Sequence, residues 1–496
     1  MNKKYFGYLL KNRKIALVFF FAIYLGLSFA PFIDAGNGNI NEGTAATAFA
    51  VAMTLSIVMS FVLPVLQLAF VHNRRSVDMY FALPVSRKEM LITNLVFMFC
   101  VLFGFYLVTT TLIWGIFGHA YVRSLNFALI LLCGALFILE MLIINSFLYL
   151  TANNSFDGIV MLGAYTCLAV LAHGVFSSCL TSIVAGYTMD AFRSGLGAWL
   201  SPLYMNSRVF TEVISAVELR RLPSLPVRYM AASAIYALLA AWGLKKNFIE
   251  RRAERAEQVS DGLFSYPFII NCYCLGILAI LGFESVRDGS IRYNLIFYIL
   301  LLFIYIVATF VYRRKIRLEP KYLAAFAGGM ILTLGLAYAG WTTRGFGIAD
   351  RHELPEGKYI VFDYDARVDR ADLGVLQAAE SDWNEGVDIS FQLDIPADRL
   401  DEYAPAVAMM EELRSQSIDD YYQRTEFNGY ASMLSVYGKN SRENWQETQR
   451  YYYYLHDHLL SEEQLKELAP YVTINIYDDE YMEPFTLQEY LERREK

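Results

Sequence analysis

The sequence predicts an α-helical polytopic membrane protein of about nine transmembrane helices, with a C-terminal α+β soluble domain. Three observations predict it. Of 496 residues, 56% are hydrophobic and 18% charged, against about 25% charged in a soluble domain. Apolar runs recur that approach or exceed the roughly 20 residues needed to cross a bilayer. The charge is also divided. From Gly340 onward there are 33 Asp and Glu and 15 Lys and Arg, net -18; the first 339 residues hold 16 acids and 27 bases, net +11. This composition excludes a purely cytosolic or secreted enzyme.

The nine apolar runs are 15–33, 46–71, 91–117, 126–150, 158–187, 228–244, 265–283, 293–312 and 322–341. Helix is expected in each, because backbone in hydrocarbon must satisfy its own hydrogen bonds. The stretch Cys179–Met189 allows a re-entrant piece instead. Lys3 and Lys4 before an apolar run suggest a signal peptide. The run is about 18 residues, longer than the usual 7–15, and reads as an uncleaved first span. The six cysteines all lie before residue 280, with no disulfide framework or zinc spacing.

Basic residues in the loops set the expected orientation. With the N-terminus inside, the inner segments hold 19 Lys and Arg and the outer loops 8. Five of the eight sit in the long loop Thr188–Arg228, and long loops weigh little in this rule. Nine crossings then place the acidic C-terminal region outside. That region, about 155 residues, is long enough to be a domain.

The inner loop between the second and third spans carries the most information. Ser76 is a candidate helix cap. Val77, Tyr80 and Phe81 share one face of a short helix, Pro84 ends it, and Arg87 and Lys88 precede the next span. Such a helix rests on lipid or docks into a groove on a cytoplasmic partner.

Leu83-Pro84-Val85-Ser86-Arg87 before the third span resembles the LPxSR segment of ABC-2-type exporter permeases. Trp242-Gly243-Leu244-Lys245-Lys246, followed by Glu250–Glu257, is similar to the basic segment that closes their six-span core. The resemblance covers residues 1–257. It implies a six-span permease core over 1–257; the three additional transmembrane helices expected over 258–341 and the acidic extracellular α+β domain expected over 342–496 exceed the minimal pattern of that family. It further implies that 74–90 is an ATPase-coupling helix, with Val77, Tyr80, Phe81, Leu83, Pro84 and Arg87 as its contact residues. The implied partners are ABC ATPase subunits, a second permease (the same chain or a paralogue) and the lipid bilayer, in a bacterial plasma membrane. Nucleic acid is not among them. Permeases of this kind with such extensions occur in Gram-positive bacteria.

The chain carries no ATP machinery of its own. A P-loop needs Gly-Lys followed by Ser or Thr. Gly357-Lys358 is followed by Tyr359, and Gly438-Lys439 by Asn440. No cofactor is therefore expected in this chain, with ATP and magnesium assigned to a partner.

Glu140 is the one carboxylate deep in a span, where charge is expensive and faces a bundle interior or wet cavity; Asn145 lies five residues on. Together they mark either a transport path or a structural bond to a neighbouring helix. His173 in the fifth span reads as a core histidine. In the outer loop, Val213, Val217 and Leu219 with Arg220 and Arg221 suggest a short amphipathic helix, either at an outer gate or among head groups.

In the C-terminal region, 358–364, 387–393 and 471–477 alternate as strands. Helical periodicity runs over 399–414 and 443–460, and Ser461 opens a capping box with Gln464. Asp363, Asp365 and Asp369 hint at calcium, but Arg367, Val368 and Gly374 occupy positions that need an oxygen ligand, a glycine and a bidentate glutamate. His456-Asp457-His458 are too close on a helix to converge on a metal. Tyr421, Tyr422 and Tyr451–Tyr454 suit either a core or a stacking surface for glycan or peptide. No Ser/His/Asp set is recognisable, and no catalytic role is assigned.

The leading expectation is a non-catalytic permease subunit exporting a hydrophobic or amphipathic envelope-active substrate, such as an antimicrobial peptide. The alternatives are a polytopic enzyme acting on lipid-linked substrates, for which Glu284, Arg287 and Asp288 form the only compact group, or a membrane sensor with an extracellular ligand-binding domain.

Overall fold

The computed structural model describes residues 2–35, 41–116, 119, 121–187, 197–258, 265–313, 316, 319–351, 354–355, 357–369, 386–423, 432–439, 447–455, 460–478 and 485–494. Among these, nine helices are long and apolar enough to cross a membrane. They are α1 (Lys3–Ala35), α2 (Glu42–Leu68), α4 (Arg87–Ile116), α5 (Ser124–Tyr149), α6 (Ser155–Ile183), α9 (Val227–Leu244), α10 (Tyr266–Arg287), α11 (Leu295–Arg313) and α12 (Pro320–Thr342). Between them lie α3 (Arg74–Phe81), the one-turn α7 (Gly197–Leu200) and α8 (Pro202–Glu218). The chain is thus a helical membrane protein with a C-terminal sheet region.

Caps explain several boundaries. Asn41 accepts from the Thr44 amide at 2.9 Å and starts α2. Ser201 caps α8, with Pro202 at its first position. Ser86 and Glu89 exchange bonds at the start of α4, placing that start at Arg87, four residues before the apolar run. α6 remains helical to Ile183, so Cys179–Ile183 is helix and not re-entrant chain; Thr188 and Met189 lie outside the described residues. Helix α8, in the loop between the fifth and sixth spans, is longer than expected, at 17 residues. It buries Val213 and Val217, while Leu219 is its exposed C-cap.

The chain forms two compact units that cut across the sequential division into core, extra spans and tail. Unit 1 comprises Met1–His173, Leu196–Cys274 and Phe303–Leu318; unit 2 comprises Gly174–Gly195, Leu275–Leu302 and Glu319–Lys496. Unit 1 is a helical bundle in which α2 and α5 are central, with α1, α4, α8 and α9 packed around them. Tyr106 is fully buried and donates to the Ile130 carbonyl at 2.9 Å. Its ring occupies the space a side chain at Gly134 would need. A single small residue there sets how closely α4 and α5 approach.

Unit 2 contains a six-stranded sheet in the order β4-β3-β1-β2-β5-β6. The strands are β1 (Tyr359–Asp369), β2 (Gly386–Pro396), β3 (Ser432–Lys439), β4 (Glu447–Leu455), β5 (Asn475–Asp478) and β6 (Phe485–Thr486), and every pairing is antiparallel. Register aligns Tyr453, Leu434, Tyr364 and Phe391 as neighbours across four strands. All four are buried, with Tyr364 and Phe391 stacked at 5.2 Å. Helix α13 (Ala404–Gln423) packs on β4, and α14 (Glu462–Leu468) and α15 (Leu487–Arg494) complete the domain. The capping box at Ser461 and Gln464 opens α14.

Two readings of this region are corrected. Of the 443–460 stretch expected to be helix, the described residues 447–455 form β4. Tyrosine favours strands, and Tyr453 and Leu455 turn inward while Tyr454 is exposed. The helix expected at 399–414 begins at Ala404, after a single turn of tighter helix, and continues to Gln423.

Candidate functional site

The richest polar constellation in unit 1 surrounds α3. Asn73, not Ser76, is its N-cap, accepting from the Ser76 amide at 3.2 Å. Val77 is buried, and Tyr80 and Phe81 are half-buried. The Tyr80 ring lies 4.3 Å from Phe70, and Phe81 meets Phe248 edge-on at 6.2 Å. The apolar face of α3 therefore packs on the chain's own bundle. Its outward side presents Arg75, Asp78, Met79, Leu83 and Pro84, with Met79 59% exposed.

Arginines fasten this segment to the chain that follows α9. Arg87 donates to the carbonyls of Ile249 at 3.3 Å and Arg251 at 2.7 Å, and its guanidinium covers the Phe81 ring at 4.2 Å. Arg74 donates through Nε to the Ala256 carbonyl at 3.1 Å. Arg251 is 5% exposed and donates to the carbonyls of Leu150 at 3.2 Å and Ala152 at 3.0 Å, closing the end of α5. Burial, with repulsion from Arg255, pushes its pKa down to about 10, so it stays a cation at neutral pH. The Glu257 amide donates to the Asn153 carbonyl at 2.9 Å. The last four carbonyls of a helix lack intrahelical partners, and cations favour that end of the helix dipole. The arrangement makes α3, the start of α4, the end of α5 and the extension of α9 one mechanical assembly.

A second constellation lies inside the bundle. Glu140 on α5 accepts at one carboxylate oxygen from Asn206 on α8, at 2.9 Å, and from Ser233 on α9. Asn206 also meets Ser233. The carboxylate thus knits three helices. Asn145 is fully buried and does not join this cluster; its amide donates to the Ser60 carbonyl at 3.0 Å and to Ser60 Oγ at 3.1 Å, tying α5 to α2. Glu140 and Asn145 accordingly serve different helix pairs.

In unit 2, Arg287 pairs with its neighbour Asp288 at 3.0 Å on an exposed corner. Glu284 stands near Cys179. His456, Asp457 and His458 lie outside the described residues. Among the described residues, no group of three or more His, Cys, Asp or Glu is arranged to hold a metal.

Arg74, Asn206, Ser233 and Phe248 had no signal as site residues in the sequence. Arg251 alone offered a hint, as part of the basic stretch after the sixth span. No family model, no curated protein and no solved structure matches the chain.

Proposed function

We propose that this chain is the membrane-embedded permease subunit of an ATP-driven exporter similar to the ABC-2 type. The observation that carries the reading is the α3 assembly. A short helix between the second and third spans, with the turn that follows it, exposes Met79, Leu83 and Pro84, while Arg87 and Arg74 bond its surroundings to the extension of α9. Force applied to that face reaches several spans at once. ATP and magnesium belong to a separate ATPase subunit, and a second permease, the same chain or a paralogue, completes the pathway. The cargo is a hydrophobic or amphipathic envelope-active molecule, such as an antimicrobial peptide. The N-terminus is cytoplasmic and the sheet domain extracellular, in a bacterial plasma membrane. The test is purification of the tagged full chain from its native membrane. An ATPase subunit should accompany it, and its hydrolysis should rise when the two are combined. Purification to homogeneity without any ATPase, in detergents that preserve other membrane complexes, sinks the reading.

A further inference from the structure

At the end of unit 1 where α1 begins, the first turns of α1, the end of α2, α3 and the first residue of α6 enclose a cavity of about 340 Å³. Its walls carry Asn12, Arg13, Gln67, Asn73, Ser76 and Ser155, with Leu9, Leu66 and Phe70 as the apolar part. Two of the amides are already engaged: Gln67 donates to Asn94 at 2.7 Å, and Asn73 caps α3. Arg13 gives one N–H to the Leu66 carbonyl at 3.1 Å, and no carboxylate pairs with it among the described residues. A guanidinium presents five donors in a planar fork suited to phosphate. Most of that capacity is unspent here.

The surroundings suit a lipid. Lys3, Lys4, Lys11 and Lys14 lie on the same stretch of α1, and basic clusters at a membrane surface gather anionic head groups. Just beyond Arg13, α1 becomes apolar and open, with Ile15 79%, Val18 69% and Phe19 62% exposed. Leu66, on the cavity wall, is 39% exposed. A phosphate at Arg13 would leave its acyl chains beside Leu66 and the Phe19 side of α1.

We infer that this cavity holds the phosphate of an anionic phospholipid, with Arg13 as its cationic ligand and Asn12 and Ser76 as neutral donors. Since Ser76 lies on α3, a bound head group bridges α1 and α3. The site requires no ATPase partner, so its test is independent of the transport reading.

The full chain, purified in a zwitterionic detergent, is titrated with phosphatidylglycerol and with phosphatidylcholine, and retained lipid is read by native mass spectrometry. One phosphatidylglycerol should stay bound under conditions that strip phosphatidylcholine. Arg13→Gln should lower its retention about tenfold or more, since hydrogen bonds to charged groups are the strong ones. Arg13→Lys should restore part of it, and Lys14→Gln, outside the cavity, should change it little. Ser76→Ala leaves the Asn73 cap in place and should lower retention about threefold, which keeps the test open if Arg13→Gln folds poorly. Displacement of the lipid by millimolar inorganic phosphate would assign the site to a free phosphate and overturn the lipid assignment. Equal retention of the two lipids, or equal losses in the Arg13 and Lys14 variants, would reduce the cavity to diffuse surface charge.

Discussion

Both units close helix ends by aiming side-chain donors at terminal carbonyls, but with different chemistry. Unit 1 uses arginine. Arg87 reaches Ile249 and Arg251, and Arg251 reaches Leu150 and Ala152. Unit 2 uses tyrosine. The Tyr421 hydroxyl donates to the carbonyls of Thr181 at 3.3 Å and Ser182 at 3.1 Å, and Tyr422 donates to Ile183 at 2.5 Å, all at the end of α6. Trp341 of α12 stands 5.4 Å from Tyr421 and 5.2 Å from Tyr422. The tyrosine hydroxyls are neutral donors, flanked by Trp341 and by the Arg344 guanidinium 5.7 Å from the Tyr422 ring, and they tie the sheet domain to a helix end of its own unit. The arginine joint brings charge to the end of the bundle and leaves α3 with an open outer face. One joint ties two parts of the chain and leaves little of them open; the other leaves Met79 and Leu83 exposed beside it.

The largest effect should come from the arginine side. Arg251→Met leaves the carbonyls of Leu150 and Ala152 without their donor and removes two charge-assisted bonds, an expected loss of about 3 kcal/mol or more. Thermal unfolding of the solubilised chain reads it. Arg251→Lys keeps the charge but offers a point in place of a fork, and should recover only part. An unchanged melting temperature for Arg251→Met would show that the joint does not hold the end of α5.

The tyrosine joint should respond less and with a pH signature. Tyr421→Phe with Tyr422→Phe removes neutral hydrogen bonds worth about 1 kcal/mol each. Hydrogen exchange in α13 should quicken by roughly tenfold or more as local opening becomes easier. Burial pushes the Tyr421 hydroxyl up to about 12, against about 10 in the unfolded chain. A raised folded pKa means that the contribution is complete below pH 10 and is lost as pH rises from 10 through 12. After correction for intrinsic rates, α13 should open selectively in that window, and the single Tyr421→Phe variant should flatten the dependence. A window unaltered by this substitution would move the titration to another group.

Legibility in the sequence followed the strength of local patterns. All nine spans were visible, because a long apolar run has one structural solution in lipid. The capping box at Ser461 was visible because both of its partners lie within one turn. Strand β3 (Ser432–Lys439) was missed, and β4 was read as helix. β3 pairs with β1, whose residues lie about 66 to 80 positions earlier, and β4 pairs in turn with β3, while the four consecutive tyrosines carry no clear period of their own. The α3 helix was legible, but the destination of its apolar face was not. Val77, Tyr80 and Phe81 show that a face exists; only Phe70 and Phe248, brought in by folding, show that the chain covers it itself. The arginine joint was invisible for the same reason, since its acceptors are backbone carbonyls and carry no sequence signal.

Glu140 sharpens the comparison, because it ties helices of unit 1 through a carboxylate and not through a guanidinium. Glu140→Gln retains an acceptor oxygen for Asn206 and Ser233 and should cost under about 1 kcal/mol. Glu140→Ala strands both donors and should cost about 1–3 kcal/mol. If the carboxylate also lines a transport path, the Gln variant should export less at normal expression. Loss of assembly in the Gln variant would confine Glu140 to holding α5, α8 and α9 together.

The smallest effect on stability should accompany the sharpest effect on partnership. Met79 is 59% exposed on the outer side of α3, and surface substitutions of this kind fall within about 0.5 kcal/mol. Met79→Asp should therefore melt like the parent chain. If an apolar cleft of an ATPase receives this side, however, the new carboxylate must be desolvated beside Asp78 on the same helix, which costs several kcal/mol when no partner compensates it. ATPase docking should weaken at least about tenfold. Phe81→Ala is the matched control. It removes a ring held between Phe248 and the Arg87 guanidinium, so it should lower stability by about 1–2 kcal/mol through lost packing while leaving the outer side unchanged. Folded Phe81→Ala protein should still bind the ATPase, and folded Met79→Asp protein should not. The reverse pattern would place the docking surface on the face that the chain covers, and would require α3 to swing out before a partner could engage it.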